Sequence, residues 1–314
     1  MKYIKLFKEL GKNDALIAGG KGASLGEMTG AKIPVPPGFV ILSSSFEHFL
    51  AENDLTQEIE AILEKCNHKE MESVERASEE IQELILNAET PEDMQKEIQA
   101  SFDELGSKFV AVRSSATAED GAEHAWAGQL DSFLNTTSEK LEENVKRCFA
   151  SLFTPRAIFY RFEKGLRASH ISVAVVVQKM VASEKSGIAF SVHPVTEDHN
   201  QAIIEGSWGL GEAIVSGQIT PDSYVAEKDS RNIIDVNISE KSRGLFRKEG
   251  GGNEWRDIDS GKVNEQCLSN DEIIELLNIV ISIENHYGFP CDIEWAFEEG
   301  EFYIVQSRPI TTLK

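Results

Sequence analysis

Residues able to handle a metal and a polyphosphate gather where Asp292-Ile293-Glu294-Trp295-Ala296-Phe297 runs toward Phe302-Tyr303-Ile304-Val305-Gln306-Ser307-Arg308-Pro309. Ile293, Trp295 and Phe297 alternate with Asp292 and Glu294, so a strand of period two turns both carboxylates to the face opposite the apolar residues. Gln306 and Arg308 share a face of the returning strand in the same way. Two acids, an amide oxygen and a guanidinium suit a divalent cation lying beside a polyphosphate. Glu294 and Gln306 reach one common face only if the loop around Glu299-Gly300 has an odd number of residues, or if a bulge intervenes. A three-residue loop, Glu299 to Glu301, meets that condition. An amphipathic edge hairpin closed by a salt bridge is the plainer reading of the same segment.

Lys21 lies among Gly19, Gly20, Gly22 and Gly26, where glycine lets backbone approach closely and an ammonium neutralises a phosphate oxygen. The P-loop pattern G-x-x-x-x-G-K-[ST] is excluded, because Ala15 stands where the first glycine belongs and Gly22 follows Lys21. Arg113 ends an apolar strand, and a buried guanidinium there needs an anionic partner, either a phosphate or an internal acid. Beyond it Ser114, Ser115, Thr117, Gly128 and Ser132 suit a lid that donates backbone N–H groups to phosphates. Gln178-Lys179-Met180-Val181 closes another apolar strand and offers the backbone donor and acceptor that an adenine edge takes.

Other chemistries find no support. Gly206 to Gly211 lacks the G-x-G-x-x-G spacing of a dinucleotide site. None of the 7 histidines sits in a metal-ligand spacing, and no G-x-S-x-G elbow is present. Groups that position charge, with no covalent catalyst among them, point to phosphoryl transfer onto an acceptor supplied from elsewhere.

The elements that must hold these groups read as mixed α+β. Gly19 to Met28 reads as a glycine-rich loop, Ile33-Pro34-Val35-Pro36-Pro37-Gly38-Phe39-Val40 as a turn entering a short strand, and Thr56 to Leu105 as charged helices with a fresh start after Thr90-Pro91. Phe109 to Val112 is a strand, followed by a loop to about Asn135. Helices follow from Ser138 or Glu139 to Phe149 and from Pro155 to Lys164, the second capped by Thr154. Ile171 to Val181, Ile188 to Val192 and Ala202 to Glu205 are strands, and Tyr224 to Glu227 pairs with Ile233 to Ile238. Arg243 to Lys262 reads as polar and exposed. Ser269-Asn270-Asp271-Glu272 is a capping box for a helix stopping at Gly288.

A chain of 314 residues exceeds one ordinary domain, so two or three lobes are expected, near 1–105, 106–200 and 201–314. The net charge of -22, from 31 basic and 53 acidic side chains, argues against a nucleic-acid surface, which relies on clustered Lys and Arg. Cys66, Cys148, Cys267 and Cys291 form no C-x-x-C pair and read as reduced packing residues of a cytoplasmic protein. No stretch approaches a signal peptide or membrane span, so a soluble protein is expected.

Taken together, Gly19-Gly20-Lys21-Gly22, Val112-Arg113-Ser114-Ser115-Ala116-Thr117-Ala118-Glu119-Asp120, Ala127-Gly128-Gln129, Gly209-Leu210-Gly211-Glu212-Ala213 and the Asp292 to Pro309 hairpin resemble one family. It is the N-terminal ATP-binding domain of phosphoenolpyruvate synthase and pyruvate phosphate dikinase, in the version found in rifampin phosphotransferase. The resemblance runs from end to end and implies an ATP-grasp fold, with ATP and Mg2+ in a cleft between lobes. It further implies that Lys21 and Arg113 hold phosphates, that Gly128 and Ser132 lie on a phosphate-covering loop, and that Gln178 sits near the adenine. Glu294 and Gln306, with Asp292 as a weaker third, are the implied magnesium ligands, and Arg308 the ligand of the transferring phosphates. Glu212 is a further weak match. Two departures stand out: Gly121-Ala122-Glu123-His124-Ala125-Trp126 replaces a stretch usually containing Leu-Pro and Ser-Phe, and Ser132 stands where Thr is common.

In that family the β-phosphoryl group of ATP passes to a histidine on a separate swivelling domain, which carries it to pyruvate or to the antibiotic's hydroxyl. The glycine-rich histidine motif is absent here, and His124 and His193 lie outside any such motif. The expectation is an excised domain or a separate subunit, working with a phosphohistidine domain in the parent chain or in trans. A nucleotide-sensing or interaction module that keeps the fold without catalysis is the alternative.

Overall fold

A computed structural model of the chain describes residues 2–117, 131–163 and 172–313. These form two compact units, Met1–Glu27 with Pro37–Met180, and Met28–Pro36 with Val181–Lys314. The expected boundary after residue 105 falls inside the first unit, because segments on either side of it share one sheet and one core. The changeover at Met180–Val181 comes before the expected boundary at 200.

The first unit is built on a five-stranded antiparallel sheet in the order β1-β2-β5-β3-β4. Its strands are β1 (Ile4–Leu6), β2 (Gly38–Ile41), β3 (Val110–Ala116), β4 (Ser132–Thr136) and β5 (Val173–Lys179). Residues directly opposite in a ladder share a face, so register divides the sheet. Val110, Val112, Ala116, Val173, Val175, Val177, Phe39 and Ile41 form the apolar face. Helices α2 (Ser43–Glu52), α3 (Leu55–Lys65), α4 (Met71–Asn87), α5 (Glu92–Glu104), α6 (Ser138–Ala150) and α7 (Pro155–Glu163) contribute to the same core. In α4 the buried Val74, Ala77, Ser78, Ile81 and Ile85 recur at three- and four-residue spacing, the stripe of an amphipathic helix. Burying each isoleucine contributes about 1.5–3 kcal/mol. Thr154 Oγ1 accepts the Ala157 N–H at 3.2 Å, and Pro155 takes the first helical position of α7, as the sequence predicts.

The glycine-rich stretch read as a loop is mostly helical instead. Helix α1 (Ala15–Gly30) is interrupted at Gly19, whose φ of 65° and ψ of 169° break the spiral before it resumes.

The second unit carries a six-stranded antiparallel sheet, β13-β12-β6-β7-β8-β9. Its strands are β6 (Lys185–Phe190), β7 (Gln201–Trp208), β8 (Asp222–Glu227), β9 (Ile233–Asn237), β12 (Cys291–Glu298) and β13 (Glu301–Pro309). The segment expected to be exposed and polar folds as a separate hairpin, β10 (Arg243–Arg247) and β11 (Asn253–Asp257), because Leu245 is buried and the Arg243 guanidinium lies 4.4 Å over Trp255. A short helix α8 (Glu212–Val215) follows the second glycine-rich loop.

Helix α9 (Asn270–Tyr287) opens with the predicted capping box, Glu272 N–H to Ser269 Oγ at 3.3 Å and Ser269 N–H to Glu272 Oε2 at 2.7 Å, and stops at Gly288 with φ 75°. Its buried Ile273, Leu276, Leu277, Val280 and Ile283 pack toward the sheet, whose apolar face holds Ile293, Trp295, Ile304, Ile204 and Tyr224. The Trp295 indole passes so close to Gly187 that a Cβ there would stand 2.7 Å from it and 1.8 Å from the Glu205 carbonyl oxygen. Only glycine fits.

Beside this core Asp222 and Lys241 are buried completely and meet at 2.5 Å. The Asp222 carboxylate also accepts the Ser239 and Cys267 N–H groups and the Tyr224 hydroxyl. Lys241 donates as well to the Ser239 carbonyl.

Candidate functional site

The acids and the amide of the C-terminal hairpin share a face by the second of the two routes that register allows, a bulge, and not by a three-residue loop. The loop has two residues rather than three: Glu298 pairs with Glu301, and Glu299 and Gly300 both take positive φ, 53° and 85°, as a two-residue hairpin turn favours. That turn alone pairs Glu298 with Glu301, Phe297 with Phe302 and Trp295 with Ile304, and continued unchanged it would set Gln306 against Ile293 on the apolar face. The ladder shifts between Glu294 and Trp295, leaving Val305 as an extra residue, so Gln306 lies opposite Glu294 and Arg308 opposite Asp292.

Arg308 donates from Nε and Nη2 to Asp292 Oδ2 at 2.9 and 2.8 Å. Burial holds the Asp292 carboxyl above the usual carboxylate range, against the pull of Arg308, and the neighbouring Glu294 charge adds to the rise. Asp292 therefore spans to the guanidinium, while Glu294 and the buried Gln306 face each other one pair further along. The second glycine-rich loop folds over this side, with Ser186 Oγ donating to the Gly209 carbonyl at 2.5 Å. Glu212 accepts from Asn253 Nδ2 at 3.1 Å.

In the first unit Arg113, Ser132 and Gln178 occupy the sheet face opposite the helical core. Arg113 pairs with Ser132 on one side and Val176 on the other, and Gln178 lies between Gly38 and Ala111. Arg113 is 9 % and Gln178 2 % exposed. The helix carrying Lys21 is pressed against this same face: Cβ atoms built on Gly19 and Gly22 would stand 2.1 Å from Ser115 Oγ and 3.0 Å from Val40 Cγ2. Just past the break, where a helix start has N–H groups without intrahelical acceptors, the Lys21 N–H donates to Ser115 Oγ at 3.1 Å, and Lys21 Nζ to the Ser114 carbonyl at 3.1 Å. Ser114 in turn donates from its N–H and hydroxyl to the Asp131 carbonyl at 3.1 and 2.8 Å. Asp131, which the sequence reading passed over, has its carboxyl raised by burial, with Arg147 pulling the other way. Gly128 lies outside the described residues.

The chain matches the family described as pyruvate phosphate dikinase, AMP/ATP-binding domain, over residues 15–314, and it belongs to that family. It is an ATP-binding domain of the phosphoenolpyruvate synthase-like dikinases. Among similar proteins are the probable phosphoenolpyruvate synthase of Methanocaldococcus jannaschii, 44% identical over 321 residues, and the phosphoenolpyruvate synthase of Pyrococcus furiosus, 39% over 367; each match covers 100% of this chain. The rifampicin phosphotransferase of Bacillus cereus is 37% identical over 314 residues, covering 99% of the chain. The chain spans 27%, 44% and 36% of those three proteins respectively. Among the described residues no helix is long and apolar enough to cross a membrane, and all four cysteines are buried and unbridged.

Proposed function

We propose that this domain has an ATP-grasp fold, binds Mg-ATP and presents the β-phosphoryl group to a histidine on a swivelling domain, in the parent chain or in trans. The observation that carries this reading is the Glu294–Gln306 pair, two hard oxygen donors brought to one face by a bulge. Magnesium is usually held by one or two carboxylates together with substrate phosphates, so a pair of protein oxygens beside a polyphosphate fits its habits. When bound, the metal supplies charge neutralisation at the phosphate oxygens. Lys21, Arg113 and Arg308 serve the same phosphates, Arg308 as a planar fork and Lys21 as a point charge. Ser132 and Gly128 cover the phosphates, and Gln178 supports adenine recognition.

In the transfer the bond between the α- and β-phosphoryl groups breaks, AMP leaves, an N–P bond forms on histidine, and water takes the γ-phosphoryl group as phosphate. Pyruvate and rifampin are both open as the final acceptor. The test mixes this chain with Mg-ATP labelled at the β-phosphorus and the histidine domain of a phosphoenolpyruvate synthase. Labelled histidine and AMP support the reading, whereas tight Mg-ATP binding with no label on any histidine domain favours a sensing module.

A further inference from the structure

Register carries the metal-facing row of the second sheet beyond the hairpin. Gln306 faces Glu294, Glu294 faces Ile188 on β6, and Ile188 faces Glu205 on β7. All four side chains therefore share a face, and Glu205 stands two strands from Glu294, at about 10 Å given strand spacings near 4.8 Å. Glu205 is half-buried, and among the described residues no hydrogen bond or ion pair engages its carboxylate. Burial alone holds that carboxyl above the usual glutamate range, with no cation pulling it back. A carboxylate kept partly out of water without a partner costs stability, and its place in the row beside the apolar Ile188 suits a ligand that brings hydroxyl donors.

Resting on the Mg-ATP reading of the Glu294–Gln306 pair, we infer that Glu205 accepts hydrogen bonds from the ribose hydroxyls of the nucleotide. An ionised carboxylate only accepts hydrogen bonds, which matches a vicinal diol, and the sugar is the first donor-bearing group beyond phosphates anchored at Glu294. A site built to bond a hydroxyl discriminates against an analogue lacking it.

The test titrates the full chain and its Glu205→Gln variant calorimetrically with the magnesium complexes of ATP, 2′-deoxy-ATP, 3′-deoxy-ATP, ITP and tripolyphosphate. Tripolyphosphate lacks the nucleoside and reports the metal face alone. The wild type is expected to prefer ATP to at least one deoxy analogue by about ten- to hundredfold, the worth of a hydrogen bond to a charged group. In Glu205→Gln that preference shrinks, and ATP affinity relative to tripolyphosphate falls by a similar factor. Equal wild-type affinity for ATP and both deoxy analogues, or an unchanged preference in the variant, overturns the inference while leaving the metal face standing. Loss of discrimination against ITP instead assigns Glu205 to the base and overturns it too. Failure of the wild type to bind either Mg-ATP or Mg-tripolyphosphate removes the Mg-ATP reading itself.

Discussion

Glu294 faces Gln306 across the β12–β13 ladder only because Val305 is an extra residue in β13. Deleting Val305 leaves Gln306 following Ile304 directly, still opposite Glu294, and leaves Arg308 opposite Asp292. Deleting Ser307 instead moves Arg308 into a position facing Ile293 and the apolar side. The first deletion is expected to keep most of the Mg-ATP affinity and the second to lose it. Calorimetry on both, with circular dichroism as a check on folding, contradicts the register argument if the two lose affinity equally.

Gly19→Ala tests the phosphate role proposed for Lys21. Its Cβ would stand 2.1 Å from Ser115 Oγ and 2.4 Å from the Ser115 carbonyl oxygen, at a φ of 65° that L side chains rarely adopt. Backbone strain and overpacking of this kind cost about 1–3 kcal/mol, read as a lower urea midpoint, and the displaced helix should weaken ATP binding through Lys21. A variant of wild-type stability and affinity would show that the helix does not need its close seat on β3.

The buried Asp222–Lys241 pair should respond asymmetrically. Asp222→Ala strands a buried ammonium whose other acceptor is the Ser239 carbonyl, and also orphans the donors at Ser239, Tyr224 and Cys267, so a loss of about 3–5 kcal/mol is expected. Lys241→Met leaves the carboxylate with those three donors and should cost less. Urea denaturation with an unchanged slope measures both, and the reverse order contradicts the account.

Glu205 gives a pH signature. Because its folded pKa is raised by burial, its favourable contribution is present below the ordinary glutamate range and is lost as pH rises through the raised value. Glu205→Gln, neutral throughout, should therefore match wild-type stability in acid and exceed it near neutrality. Thermal unfolding across that interval checks the sign. A variant less stable at neutral pH shows that the carboxylate is satisfied within the chain.

What was legible in the sequence follows physical range. The alternation of Asp292 and Glu294 with Ile293 and Trp295 is local and readable at period two, and so are the capping box at Ser269 and the Thr154-Pro155 start. The Val305 bulge carries no glycine to mark it, so only its necessity was visible, as one of two ways to satisfy register. The Gly19 to Met28 segment misleads because four glycines suggest a loop, whereas the chain is helical on either side of a break at Gly19, and the missing Cβ atoms of Gly19 and Gly22 let it seat closely on β3 and β2. Leu245 and Trp255 are too few apolar residues to announce a hairpin. Glu205 left one faint signal, a lone charge at the end of Ala202-Ile203-Ile204, and its alignment with Glu294 exists only once three strands are paired.

The most direct measurement is the magnesium dependence of ATP affinity in the wild type and in Glu294→Ala. Removing the carboxylate takes away a hard oxygen ligand and leaves phosphate charge uncompensated, so magnesium-dependent binding should fall by at least about a hundredfold. Unchanged Mg-ATP affinity in Glu294→Ala, with the fold intact, contradicts the assignment of this face to the metal.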